Sequence, residues 1–123
     1  MRQLTFILLC IFSLTLSIKA NAQPVMIGGE AEIDACASIA SVERPTTLKA
    51  GPMMQEKSLK TLTKGTTVFV CDEKNEWSGI LVIPNRNKPE QCGVSTSVAE
   101  RKPYAGRCAS GWIKTDKLKM IAG

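Results

Sequence analysis

The chain has 123 residues, with 16 basic and 11 acidic side chains, a formal net charge of +5 and no histidine. This length accommodates one small domain and excludes a multidomain machine. The absence of histidine removes the commonest general base near neutral pH and the commonest zinc ligand, so it excludes chemistry that depends on either.

Residues 1–22 are typical of a secretory signal peptide. Arg2 gives a positive start, residues 4–18 form an apolar run, and residues 20–22 (Ala-Asn-Ala) match a small-x-small cleavage pattern. The alternative is an uncleaved membrane anchor, but the run is shorter than the about 20 residues that a spanning helix needs. We therefore predict export, a mature chain that begins at Gln23, and no stable membrane insertion after cleavage.

Four cysteines remain after Cys10 leaves with the signal peptide: Cys36, Cys71, Cys92 and Cys108. An even number in a short exported chain predicts two disulfides, for which three connectivities are open. The spacings lack the close pairs of a zinc site, and pairing leaves no free thiolate for catalysis. We prefer Cys36–Cys71, which would tie the N-terminal segment to a central strand, and Cys92–Cys108, which would staple a loop.

In chain order, residues 23–34 are predicted to form a flexible leader, because they include Pro24, Gly28 and Gly29, and residues 35–123 form the folded domain. Residues 33–42 are compatible with a short helix or a strand. Residues 45–50 are extended and end at the turn signal Gly51-Pro52. Residues 58–62 form a short strand before a turn at residues 64–65.

The clearest strand is residues 66–71, which are rich in β-branched and aromatic side chains. A polar turn at residues 72–75 and a strand at 77–83 complete a predicted hairpin. Residues 84–107 form a long loop with three prolines, a strand follows at 107–114, and residues 118–121 close the chain. Short strands separated by turn signals predict an all-β fold, either a small barrel or a sandwich.

Several motifs in this order resemble those of bacterial Src-homology-3-like (SH3-like, SH3b) domains. They are residues 48–52 (Leu-Lys-Ala-Gly-Pro), residues 59–70 with their turn glycine and alternating valines, Trp77, and residues 111–113 (Gly-Trp-Ile) followed by Leu118. The resemblance covers residues 40–121. It implies a small SH3-like barrel, here with a long disulfide-stapled loop, and implies peptidoglycan or an envelope protein as the partner.

The candidate binding residues are aromatic and basic. Trp77 and Trp112 are candidates for an exposed aromatic shelf, although packing at strand ends explains them as well. Tyr104 lies in the long loop beside Arg101 and Lys102, and an aromatic ring among cations suits an anionic or carbohydrate partner. The sequence therefore predicts a binding surface at or near residues 84–107.

Catalysis and nucleic-acid binding have little support in the sequence. Asp72, Glu73 and Glu76 lie near one turn and are best interpreted as solvated charges, and no recognisable catalytic or metal-ligand motif is present. After signal cleavage 14 basic residues face 11 acidic ones along the chain, which is no nucleic-acid footprint. We predict a non-catalytic binding module without metal or cofactor. The alternatives are an inhibitor or immunity-type protein that blocks a toxin or hydrolase, and a small hydrolase.

Overall fold

The computed structural model describes residues 22–123. The predicted signal peptide therefore lies outside the described residues, apart from Ala22. Within the described part, no helix has the length and apolar character needed to cross a membrane.

The described chain is built from β-strands, which confirms the all-β class. Residues 33–42, which allowed a helix or a strand, supply a strand. The strands are β1 Met26–Ile27, β2 Ser38–Val42, β3 Thr46–Lys49, β4 Ser58–Leu62, β5 Thr67–Lys74, β6 Trp77–Val82, β7 Lys102–Pro103, β8 Ser110–Lys114 and β9 Leu118–Ala122, with one-turn 3₁₀ helices at Pro89–Cys92 and Thr115–Lys117.

The strands form two antiparallel sheets. The larger has the order β4-β3-β8-β6-β5-β2-β9, and the smaller pairs β1 with β7. Within residues 22–123, β4 and β9 are the ends of the larger sheet and do not pair with each other, so the sheet is not a closed barrel. The β5–β6 hairpin is longer than predicted, because β5 continues to Lys74 and the chain turns at Asn75, whose φ is 56°.

Both faces of the central strands are buried. Because side chains alternate along a strand, Val68, Ile80 and Ile113 point to one face while Phe69, Leu81 and Trp112 point to the other. The first face belongs to one apolar cluster within the larger sheet, completed by Ala40, Val42, Leu48 and Leu62. This arrangement explains why β6 has a nearly continuous run of buried residues.

The second face is covered by the N-terminal segment and by residues 84–107. Val25, Ile27 and Val94 are buried against Phe69, Leu81 and Trp112. An uncovered face of this kind would expose large apolar side chains to water, at a cost of about 25 cal/mol for each Å². The long loop therefore has a structural role on its inner side.

The expectation of a flexible leader at residues 23–34 is corrected by this packing. Val25 and Ile27 are only 2% and 5% exposed, and β1 pairs with β7. Gly28, at a φ of 78°, lets the backbone approach the long loop, since a Cβ there would lie 2.8 Å from the Val98 carbonyl oxygen. Gly28 thus serves close packing here instead of flexibility.

Two disulfides link the fold. Cys36 pairs with Cys71, with their Cα atoms 4.7 Å apart, and Cys92 pairs with Cys108, at 5.2 Å. These are the two pairs that the sequence analysis preferred. Paired cysteines in a short chain are typical of an oxidising, extracytoplasmic compartment.

Candidate functional site

The net positive charge of residues 23–123 is concentrated in the long loop, residues 84–107. The loop contains five basic and two acidic residues, whereas the rest of residues 23–123 contains nine of each. The loop therefore carries the entire net charge of +3 of residues 23–123, and the remainder of that range is neutral. The basic residues are Arg86, Lys88, Arg101, Lys102 and Arg107.

The loop is attached to the N-terminal segment by backbone hydrogen bonds. Amides of the segment donate to carbonyls of the loop, and one loop amide donates back. The pairs are Ala35 N to Thr96 O at 2.8 Å, Cys36 N to Val94 O at 3.4 Å, Gly29 N to Val98 O at 2.9 Å, and Tyr104 N to Val25 O at 2.8 Å. A loop whose backbone is satisfied in this way is held in one conformation instead of moving freely.

Tyr104 connects the two ends of the stapled loop. Its hydroxyl donates to the Cys92 carbonyl at 2.8 Å and accepts from the Cys108 amide at 3.1 Å. The ring is half-buried against the apolar cluster on the second face of the sheet, which includes Phe69, Leu81 and Trp112. Tyr104 was a candidate contact for a ligand, but its hydroxyl is occupied by the backbone on either side of the Cys92–Cys108 disulfide, so its role here is structural.

Asp72 fixes the loop to the sheet through Arg101. Its Oδ1 accepts from Arg101 Nη2 at 2.6 Å and from the Glu73 amide at 2.9 Å, while its Oδ2 accepts from the Met26 amide at 3.1 Å. The Asp72 side chain is 10% exposed and the Arg101 side chain 51% exposed. One carboxylate therefore holds β5, β1 and the long loop together.

Replacing Asp72 with alanine is expected to lower the free energy of unfolding by about 2 kcal/mol. The Met26 amide loses its partner, and Arg101 loses the charge-assisted bond that orients it. Urea denaturation measures the change. The matched control is Glu76→Ala, which removes a pair with Lys114 at 3.3 Å in which Glu76 is 86% exposed. That control is expected to cost less than about 0.5 kcal/mol, and equal losses in the two variants would contradict the role of Asp72.

The bond to Asp72 leaves most of the Arg101 guanidinium free to bind a ligand. A guanidinium has five N–H donors, and Asp72 takes one of them. Arg101 lines two shallow clefts of about 390 and 480 Å³, which share Asp72 and Glu73. Lys102 is exposed on β7, next in the chain, and Lys88 and Arg107 are exposed elsewhere in the loop.

The predicted aromatic shelf is wrong. Trp77 is 7% exposed and Trp112 is 1% exposed, so neither presents a face to a ligand. The Trp112 indole N–H donates to the Gln23 carbonyl at 2.8 Å, and the Trp77 ring packs beneath the Lys114 ammonium, 5.5 Å from its centroid. Both residues lie in the cluster that the long loop covers, because they point to the same face of the sheet as Phe69 and Leu81.

The carboxylates of the β5–β6 region do not form an acid–base pair. Asp72 is bound to Arg101, and Glu76 is a solvated partner of Lys114. Across residues 22–123, no group of three or more Cys, Asp or Glu side chains is arranged to hold a metal ion.

Sequence reasoning missed two features of this site. The concentration of net charge in residues 84–107 is visible by counting, but only after the loop has been treated as one unit. The role of Asp72 has no local signal, since its partners Met26 and Arg101 are 46 and 29 residues away in the chain.

Comparisons with known proteins assign no relatives: no family model, no curated protein and no solved structure matches this chain. The fold and the two disulfides define a small, cross-linked all-β protein whose cationic loop is tied down by a disulfide and by hydrogen bonds.

Proposed function

We propose that this protein is a non-catalytic, extracytoplasmic binding module of the bacterial SH3-like type, which binds anionic cell-wall material or an envelope protein through residues 84–107. The observation that carries the proposal is the net charge of +3 on a loop whose backbone is held in place at several points. A cationic surface attracts anionic polymers and peptides and raises the rate of encounter with them.

The strand order supports the SH3-like assignment. Strands β5, β6 and β8 are hydrogen-bonded in succession, and the last strand, β9, returns to pair with β2 beside β5. Together with the motifs of residues 48–52 and 111–113, this order is consistent with an open form of the SH3-like barrel. The additional element is the long loop, which supplies the proposed binding surface.

The restraints on the loop favour a binding role over a role that is limited to covering the core. The Cys92–Cys108 disulfide, the Tyr104 hydroxyl and the Arg101–Asp72 pair restrict the loop before any ligand is present. A loop that is already ordered loses less conformational entropy when it binds, which increases affinity. On its inner side Val94 and Cys92 are buried and Val98 and Tyr104 are half-buried, whereas its basic side chains are exposed.

Sedimentation with purified peptidoglycan sacculi at low salt tests the proposal. The exported, oxidised protein is expected to pellet with sacculi, and the bound fraction is expected to fall as salt screens the exposed charges. The triple variant Lys88→Glu, Lys102→Glu, Arg107→Glu is expected to weaken binding by about tenfold or more, because like charges then face an anionic polymer.

The matched control is Arg44→Glu, Lys57→Glu, Lys119→Glu, which changes the total charge equally at exposed positions outside the loop. It is expected to retain binding. Equal losses in the two triple variants would contradict a specific role for the loop. Absence of pelleting would exclude wall material, and a one-to-one complex with an envelope protein that only the loop variant loses would support the protein partner.

A further inference from the structure

The edge strand β4 forms a second surface, on which the backbone of a partner strand can pair. Four of its five residues are exposed, and only Leu62 is buried. One side of β4 pairs with β3, and within residues 22–123 no strand pairs with its other side. The backbone amides and carbonyls on that side are available to a partner in the extended conformation.

A cleft of about 520 Å³ adjoins this edge. It is lined by residues 60–63 of β4 and the following turn, by Thr66 and Thr67, and by residues 82–84 at the end of β6. Lys60 and Arg86 supply positive charge from two sides. Among the described residues that line this cleft, no side chain is a carboxylate.

The charges favour a partner with acidic side chains over a second copy of this chain. Lys60 lies in β4 with Lys57 directly before the strand, and Lys119 lies in β9, the other edge strand, with Lys117 directly before it. Pairing either edge with another copy of β4 or β9 would bring lysines together, and like charges on adjacent strands are destabilising. An acidic strand would reverse that interaction.

We propose that β4 binds an extended, acidic segment of a partner protein by strand addition, with its carboxylates against Lys60 and Arg86. The inference goes beyond the proposed function, because it concerns the edge of β4, which shares only the first residues of the long loop, Pro84 and Arg86, with the proposed wall-binding surface, and a peptide ligand that the sacculus experiment does not address. A peptide is favoured over an anionic polysaccharide because only a peptide backbone matches the unpaired edge of β4. The ring of Pro84 lines the cleft, and the Leu59 side chain of β4 is exposed to an added strand.

Fluorescence anisotropy with a labelled peptide of alternating glutamate and valine, about eight residues long as in an ordinary strand, tests this inference. The wild-type protein is expected to bind the peptide at low salt and to reject the matched peptide of alternating lysine and valine. N-methylation of every second amide is expected to weaken binding by about tenfold or more, because it blocks strand pairing while retaining the charge.

The double variant Lys60→Glu, Arg86→Glu is expected to lose the peptide, whereas Arg44→Glu, Lys119→Glu retains it at the same total charge. Circular dichroism confirms that each variant is folded. Absence of peptide binding overturns the inference, as does equal binding of the N-methylated peptide, which would show attraction by charge alone. Displacement of the peptide by polygalacturonate at equal charge would assign the cleft to a polysaccharide and also overturn it.

Different experimental results would contradict each of the two binding proposals. The triple variant of residues 84–107 is expected to bind the acidic peptide as the wild type does, because it leaves Lys60 and Arg86 unchanged. If the protein fails to pellet with sacculi but binds the peptide, the β4 inference stands without the proposed wall binding. If the protein pellets with sacculi but ignores the peptide, only the β4 inference is wrong.

Discussion

Replacing Cys36 and Cys71 together with alanine is expected to lower the free energy of unfolding by about 4 kcal/mol. The disulfide joins residues 35 apart, and in the chain-entropy model a link of that span restricts the unfolded chain by about this amount. A domain of this size is stabilised by about 5–15 kcal/mol in total, so the variant is expected to be only marginally folded. Urea denaturation of the oxidised proteins measures the loss.

The double variant Cys92→Ala, Cys108→Ala is the matched comparison, because its disulfide spans 16 residues. Its expected loss is about 3 kcal/mol, slightly smaller because the loop it closes is shorter. The expected local consequence differs as well, since Tyr104 then loses the fixed positions of the Cys92 carbonyl and the Cys108 amide. A loss below about 1 kcal/mol in the Cys36–Cys71 variant would contradict the stabilising role of that link.

Replacing Trp112 with alanine is expected to cost about 4 kcal/mol, which is typical for removal of a large aromatic side chain from a core. Trp112 is the largest fully buried side chain among the described residues, and it lies between the larger sheet and the segment that begins at Gln23. Its removal would leave a cavity beside Val25 and Leu81 in the cluster that the long loop covers. Thermal and urea denaturation measure the loss.

Trp112→Phe separates packing from a binding role. Most of the apolar volume is retained and the hydrogen bond to the Gln23 carbonyl is lost, so the expected cost is about 1–2 kcal/mol. Binding to sacculi at a temperature where this variant is fully folded is expected to equal that of the wild type. Loss of binding without loss of stability would restore Trp112 as a contact residue and contradict its placement in the core.

Local patterns in the sequence account for most of the strands. Residues 58–62 alternate around Leu59 and predict a strand, and the structure has this strand at Ser58–Leu62. The β5–β6 hairpin was predicted from its β-branched residues. These elements depend on the chemistry of neighbouring residues, which a sequence displays directly.

Features that depend on distant residues were missed. Val25 and Ile27 are buried because they pack on the face of the sheet that carries Phe69, Leu81 and Trp112. Residues 23–34 alone do not indicate this packing, because it depends on residues far along the chain. The same cause explains the error over Trp77 and Trp112: a tryptophan at a strand end is exposed or buried according to what packs on that face. Trp77 and Trp112 are therefore core residues and not the predicted contacts. The concentration of net positive charge in the long loop was not predicted.

The proposed function requires that residues 84–107 form a rigid surface. Amide hydrogen exchange of the oxidised protein tests this most directly. The amides of Ala35 and Tyr104, which connect the N-terminal segment and the long loop, are expected to exchange within about tenfold of the rates in the centre of β5 and β6. Exchange of these two amides at the rates of an unstructured peptide, while β5 and β6 remain protected, would contradict a preformed binding surface.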